Sequence, residues 1–199
     1  NGGCAVADAG LMANSTISGR VWDHQGKTVP SAEVGLVDLD RPPLQPGGHA
    51  FFYAAHYSPE HHGFTFKHVP VGRYLLVYNP NGPTASAPHE SSYFPLSSSR
   101  QSAKVVEITR DGMKMEHLDL IMGRTVPFRE VTVVAKFADG KPMAAPRINA
   151  TEVNPTGVGP MWNAIVQNGT AKLQAPADRK IRIQLTDAYD RTLAGTYVS

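Results

Sequence analysis

The chain has almost no cysteine. Cys4 is the only one in 199 residues, so no disulfide can form within the chain and a zinc site built mainly from cysteines is excluded. Long apolar runs are also missing. None approaches the roughly 18–20 residues that a helix needs to span a bilayer, and no long window carries helical periodicity. Charge of one sign is scarce, with a net charge of +2. No basic patch is interleaved with aromatics, which leaves nucleic-acid binding without support. The motifs of common catalysts are absent too. There is no Gly-x-Ser-x-Gly elbow, and Gly47-Gly48 lacks the following helix that a phosphate loop requires. Ser97-Ser98-Ser99 reads as a polar loop, and Asp38 and Asp40, on either side of Leu39, read as a strand end running into a proline-rich loop.

Turns and short strands fill the space left by these absences. The 18 glycines and 16 prolines fall mostly between segments in which apolar residues alternate. Asp139-Gly140 and Asn168-Gly169 are hairpin pairs, because Gly accepts positive φ and Asn or Asp tolerates it. Gln25-Gly26 does the same less well. In Val69-Pro70-Val71-Gly72, Pro presets φ and Gly closes the turn. Phe64 and Phe66 share a face, as do Tyr74 with Leu76 and Ile181 with Ile183 and Leu185. Period two with closely spaced turns predicts a β-sandwich or barrel.

The pattern occurs twice. Gly26-Lys27-Thr28-Val29-Pro30 followed by Phe64 to Val77 is echoed by Gly140-Lys141-Pro142-Met143 followed by Thr170 to Ile183. The expected fold is therefore all-β, with two tandem antiparallel β-sandwich domains. The expected divisions are an N-terminal strand or tail over 1–14, a first sandwich over 15–124 and a second over 125–199. The run Ala50–Tyr57 reads as one strand, and Ala103–Thr109 and Glu116–Met122 close the first sandwich.

Several residues are candidates for chemistry or contact. His49, His56, His61, His62 and His68 crowd one stretch, but the adjacent His61 and His62 would point apart, so an exposed histidine-rich turn without a bound metal is expected. A zinc or copper site is the competing possibility. Phe51-Phe52-Tyr53 breaks alternation, so a ring there should face outward. Phe52, Tyr57 and Trp162 are the candidate partner contacts, set against plain core packing. Asn14, Asn149 and Asn168 begin glycosylation triplets. No catalytic residue, cofactor or metal ligand is assigned, and no enzyme activity is expected.

Ile17-Ser18-Gly19-Arg20-Val21, the Gly-Lys turn, and Phe64-Thr65-Phe66-Lys67-His68-Val69-Pro70-Val71-Gly72-Arg73-Tyr74 together resemble the carboxypeptidase regulatory-like domain. Tyr93-Phe94-Pro95 followed by Ala103-Lys104-Val105-Val106 fits the same pattern. The second half matches more thinly, with Asp178 in place of the turn glycine and Lys180 in place of the tyrosine. Glu60-His61-His62 departs from the family's acidic-Gly turn. The resemblance implies a prealbumin-like (transthyretin-like) sandwich in an extracytoplasmic, non-catalytic module, secreted or on the cell surface, and often an appendage of a larger protein.

The two ends of the chain differ. Ala7-Asp8-Ala9-Gly10-Leu11-Met12 resembles Leu118-Asp119-Leu120-Ile121-Met122, the segment that closes the first sandwich. Nothing comparable to residues 103–122 closes the second. Residues 6–12 are expected to form a strand, with Val6, Leu11 and Met12 filling the groove of another copy by strand addition. Heterologous contacts of this kind propagate into filaments. The start at Asn1 reads as a processed or excised segment. The leading expectation is a secreted or surface structural protein whose partners are other copies of itself. The alternative is a ligand- or carbohydrate-binding, or regulatory, module of a larger secreted enzyme or receptor, in contact with carbohydrate or a cell-envelope component.

Overall fold

A computed structural model describes residues 13–41, 52–58, 60, 63–143, 147–153, 161–186 and 192–198. The strands are β1 (Ser15–Trp22), β2 (Val34–Asp38), β3 (Phe52–Ala54), β4 (His56–Ser58), β5 (Gly63–Val69), β6 (Gly72–Tyr78), β7 (Ser92–Tyr93), β8 (Val105–Ile108), β9 (Lys114–Met115) and β10 (Leu120–Ile121), then β11 (Phe128–Val134), β12 (Arg147–Glu152), β13 (Met161–Ile165), β14 (Thr170–Pro176), β15 (Ile181–Thr186) and β16 (Thr192–Val198). A three-residue 3₁₀ turn, Arg100–Ser102, is the only helical element among the described residues.

In the first half, one sheet runs β10-β1-β5-β4 with β9 also on β1, and the other runs β3-β2-β6-β7 with β8 also on β6. In the second half, β11-β14 faces the four-stranded sheet β13-β12-β15-β16. The apolar residues form two separate clusters. One holds Ile17, Val21, Leu36, Phe64, Phe66, Tyr74, Leu76 and Leu120. The other holds Ala135, Ile148, Ala150, Trp162, Leu173, Ile181 and Ile183. The alternation read from sequence lands where it should, since Phe64, Phe66, Tyr74 and Leu76 are all buried.

The turns do what their residues require. Gly26, Gly140 and Gly169 have φ of 75°, 84° and 75°, and Asn168 sits at 50°. The same bonds close both Gly-Lys turns: Asp23 N–H donates to Lys27 O at 2.8 Å and Phe137 N–H to Lys141 O at 2.9 Å, while Val29 N–H donates to Val21 O and Met143 N–H to Ala135 O. A constant step of 114 residues thus relates the two hairpins, and it carries β1 onto β11 and β2 onto β12.

The chain is all-β and its sheets are antiparallel as expected, except that β9 and β10 return to lie parallel to β1. Two sequence expectations are corrected. Ala50–Tyr57 is not one strand: β3 pairs with β2, β4 pairs with β5, and the chain crosses between sheets at Ala55. The counterpart of Tyr74 is Ile181 and not Lys180, since Tyr74 lies opposite Asp38 and Ile181 opposite Glu152.

Tyr74 and Tyr78 are interior phenols. Tyr74 donates its hydroxyl to Pro70 O at 3.0 Å and packs edge-on against Tyr53 at 6.1 Å. Burial first, then the charges of Tyr53, Asp38 and Asp40, push the Tyr74 phenol up to about 12, and burial alone does the same for Tyr78. A raised folded-state value means that stability is intact below the ordinary value of 10.0 and falls as pH climbs toward about 12. An alkaline titration followed by phenolate absorbance should show a late-ionising class that shrinks in Tyr74→Phe. A single class at the ordinary value would refute it.

Candidate functional site: an open strand edge

The 114-residue step puts β1 and β11, the first strands of the two halves, in correspondence. In the first half, the far edge of β1 is covered. Thr16 N–H donates to Met113 O at 2.8 Å, Leu118 N–H to Ser18 O at 3.1 Å and Met122 N–H to Trp22 O at 2.8 Å. Asp119 clamps the same edge, with Oδ1 accepting Arg20 N–H at 2.9 Å and Oδ2 accepting Trp22 Nε1–H at 3.0 Å. Leu120 is fully buried against the core.

In the second half, β11 pairs with β14, from Phe128 opposite Pro176 to Val134 opposite Thr170. Among the described residues no strand lies along its other edge. Strand β16 does not fill the gap, because it pairs with β15 in the opposite sheet, in the place that β7 and β8 share on β6. Ala135 N–H bonds toward the β14 side, to Gly169 O. Hydrogen-bonding direction alternates along an antiparallel pair, so the N–H and C=O groups of Glu130, Thr132 and Val134 point to the open edge. These are the counterparts of Thr16, Ser18 and Arg20, whose edge is paired.

The side chains differ in step with the backbone. Ile17 and Val21 of β1 are fully buried, whereas Val131 and Val133 of β11 are only partly covered. Val134 is 58% and Phe137 54% exposed, where the first half places Arg20 and Asp23. Ser15, fully buried, accepts from Met113 N–H and donates to Arg110 O through its hydroxyl. Its counterpart is Arg129, whose Nε and Nη2 are shielded from solvent and have no hydrogen-bond partner among the described residues. Sequence reading passes over Arg129. The signal is available, because the Gly-Lys turns bring it into register with Ser15 on the inward face of the strand.

The other candidates are accounted for differently. Val6, Leu11, Met12, Cys4, His49, His61 and His62 lie outside the described residues. Phe52 pairs through its backbone with Val37. Tyr57 is half-buried against the first core and donates its hydroxyl to Val29 O at 2.5 Å, so its polar end is engaged internally. Trp162 is 9% exposed and belongs to the second core, which is core packing and not an exposed ring. His56 is exposed on β4, and His68 holds φ of 57° with Nδ1 3.0 Å from Ala13 O. No group of three metal-ligating side chains converges among the described residues. Ser97 hydrogen-bonds to Ser99 O and to the Ser102 hydroxyl, both within its own loop. Asp38 receives Asp40 N–H and Arg41 N–H, and Asp40 pairs with Arg73 at 2.7 Å.

An ion cluster joins the two halves. Arg179 contacts Glu90 of the first half and Glu152 of the second, the latter at 2.7 Å. Arg124 reaches Glu90 at 3.1 Å and Asp178 at 3.3 Å. The segment between the halves is held as well, with Val126 N–H on Pro88 O and Ala177 N–H on Pro127 O.

No protein-family model matches the chain, and no curated protein matches it in sequence. Among solved structures it is similar to the TIE protein of Bacillus anthracis (14% identity, TM-score 0.35, covering 94% of this chain and 31% of that one). It is similar to the shaft pilin SpaA of Lactobacillus rhamnosus GG (10%, 0.30, 94% and 93%) and to a C-terminal fragment of the pilus adhesin SpaC of the same strain (10%, 0.29, 92% and 81%). The chain spans about a third of the TIE chain's length. At these scores the likenesses carry no weight for this chain's function, which has to be read from its own residues.

Proposed function

We propose that this chain is a non-catalytic, extracytoplasmic structural module that joins copy to copy by strand addition. Its sandwich units span 15–124 and 125–199, and residues 1–14 serve as the joining strand. The observation that carries the reading is the contrast between β1, whose edge is paired by β9 and β10, and β11, whose corresponding edge is unpaired among the described residues. An unpaired edge beside half-covered valines is a template for another strand. The resemblance to carboxypeptidase regulatory-like domains supports the location outside the cytoplasm.

Geometry favours a second copy as donor. The tail leaves next to Asn14, whose N–H is held by Asp111 at the β9 end of β1. The second half begins beyond the other end of β1, next to Trp22 and Met122. To reach β11 in its own copy the tail would retrace β1, about 25 Å, and then run along β11 for about 23 Å, at roughly 3.3 Å per residue. Twelve extended residues span only about 40 Å.

Sedimentation velocity over a concentration series tests this. The intact chain should form a ladder of head-to-tail oligomers, and a chain lacking residues 1–12 should stay monomeric. An intact chain that is monomeric throughout, or a truncated one that assembles equally, would replace this reading with that of a binding or regulatory module of a larger protein.

A further inference from the structure

We infer that Arg129 is the docking cation of the β11 edge and that Asp8 of a second copy is its carboxylate partner. The inference rests on the strand-addition reading and adds to it the polar contact that selects the incoming strand.

A guanidinium removed from water without a partner is costly, and native interiors pair such groups. Nε and Nη2 of Arg129 are shielded and unpartnered among the described residues, at the one inward position of β11 where the first half holds a hydrogen-bonded serine. In the first half the polar needs of this position are met by the segment that leads into β9. In the second half they would be met by whatever strand occupies the same edge. The tail offers Asp8, the only charged side chain in residues 1–14, so a guanidinium with two shielded, unpartnered nitrogens faces a donor with one anion.

Val134 and Phe137, exposed at 58% and 54%, extend the apolar footing toward the far end of the edge.

Charge reversal in the full chain tests the pairing. D8R and R129E should each associate at least roughly thirty-fold more weakly than the parent, the scale on which breaking a desolvated charge pair acts. Mixed one to one, they should recover assembly, because the guanidinium introduced in one variant then meets the carboxylate introduced in the other, and the native pair forms at alternate joints. R129M, which leaves no buried charge, should melt no lower than the parent monomer yet still fail to assemble, which separates docking from folding. V134P removes an edge N–H without touching the charges. If V134P blocks assembly while D8R, R129E and R129M assemble normally, the edge stands and the Asp8–Arg129 pairing falls. If both single reversals are folded monomers and their mixture stays monomeric, the pairing also falls. If V134P assembles as the parent does, the edge itself is wrong.

Discussion

Gly19→Val should be among the most damaging single substitutions in the first half, lowering the unfolding free energy by roughly 3 kcal/mol. The substitution installs the residue that the second half carries at the matching position, so the side chain itself suits the strand. The harm comes from the neighbours. A Cβ at Gly19 would overlap the Leu118 carbonyl and stand 2.9 Å from Phe64 Cζ. Val133 escapes both conflicts, because its cross-strand partner is Ala171, where Gly19 faces Phe64, and no described strand passes beneath it. Displacing Leu118 would pull Asp119 off Arg20 and Trp22 and lift Leu120 from the core. Denaturant unfolding should show the loss, and hydrogen exchange should place it along β1, β9 and β10. A double variant that adds Phe64→Ala relieves only the ring contact and should remain well below the parent. Full recovery by Phe64→Ala would show that the passing strand is not what Gly19 accommodates.

Arg179→Ala should cost a similar amount, about 3 kcal/mol, by a different route. The Arg179 side chain is 18% exposed and lies between Glu90 at 28% and Glu152 at 16%. Removing the cation leaves two half-desolvated carboxylates facing each other across the junction, with Arg124 near only one of them. The penalty is that of stranded charge and so should be partly reversible: adding Glu152→Gln ought to return more than half of it. Calorimetry should also show one transition in the parent and its separation toward two in the variant, as the halves lose their shared contact. An Arg179→Ala protein with the parent's melting profile would mean that the cluster is a solvated surface feature of little consequence.

Sequence reasoning reached the local structure because that structure is locally determined. Alternation placed Phe64, Phe66, Tyr74 and Leu76 in one core, and Asn-Gly and Asp-Gly placed the hairpins. It failed where the determinants are distant. The parallel return of β9 and β10 onto β1 joins residues about a hundred positions apart, as Val21 with Leu120, and nothing near either strand declares the partner. The crossing at Ala55 was hidden because no glycine or proline interrupts Phe52 to Ser58. The importance of Arg129 was invisible until the 114-residue step placed it on Ser15, since an arginine in a strand ordinarily reads as a solvent-facing residue. The open edge of β11 was legible only as an asymmetry between chain ends, and its exact place required the topology.

The parallel arrangement of β1 with β9 and β10 has a mechanical meaning. The chain enters the first unit at one end of β1 and leaves, after β10, at the opposite end. A pull on the two ends therefore acts along the strands and across the hydrogen bonds that join them, so the bonds at Thr16, Ser18, Arg20 and Trp22 share the load and must fail together, not one after another from an end. Antiparallel terminal strands would place both ends on the same side and peel open like a zipper. If a neighbour's tail runs parallel beside β11, each joint meets tension in the same sense as each unit, and an array of such copies would carry force through contacts loaded in shear throughout its length.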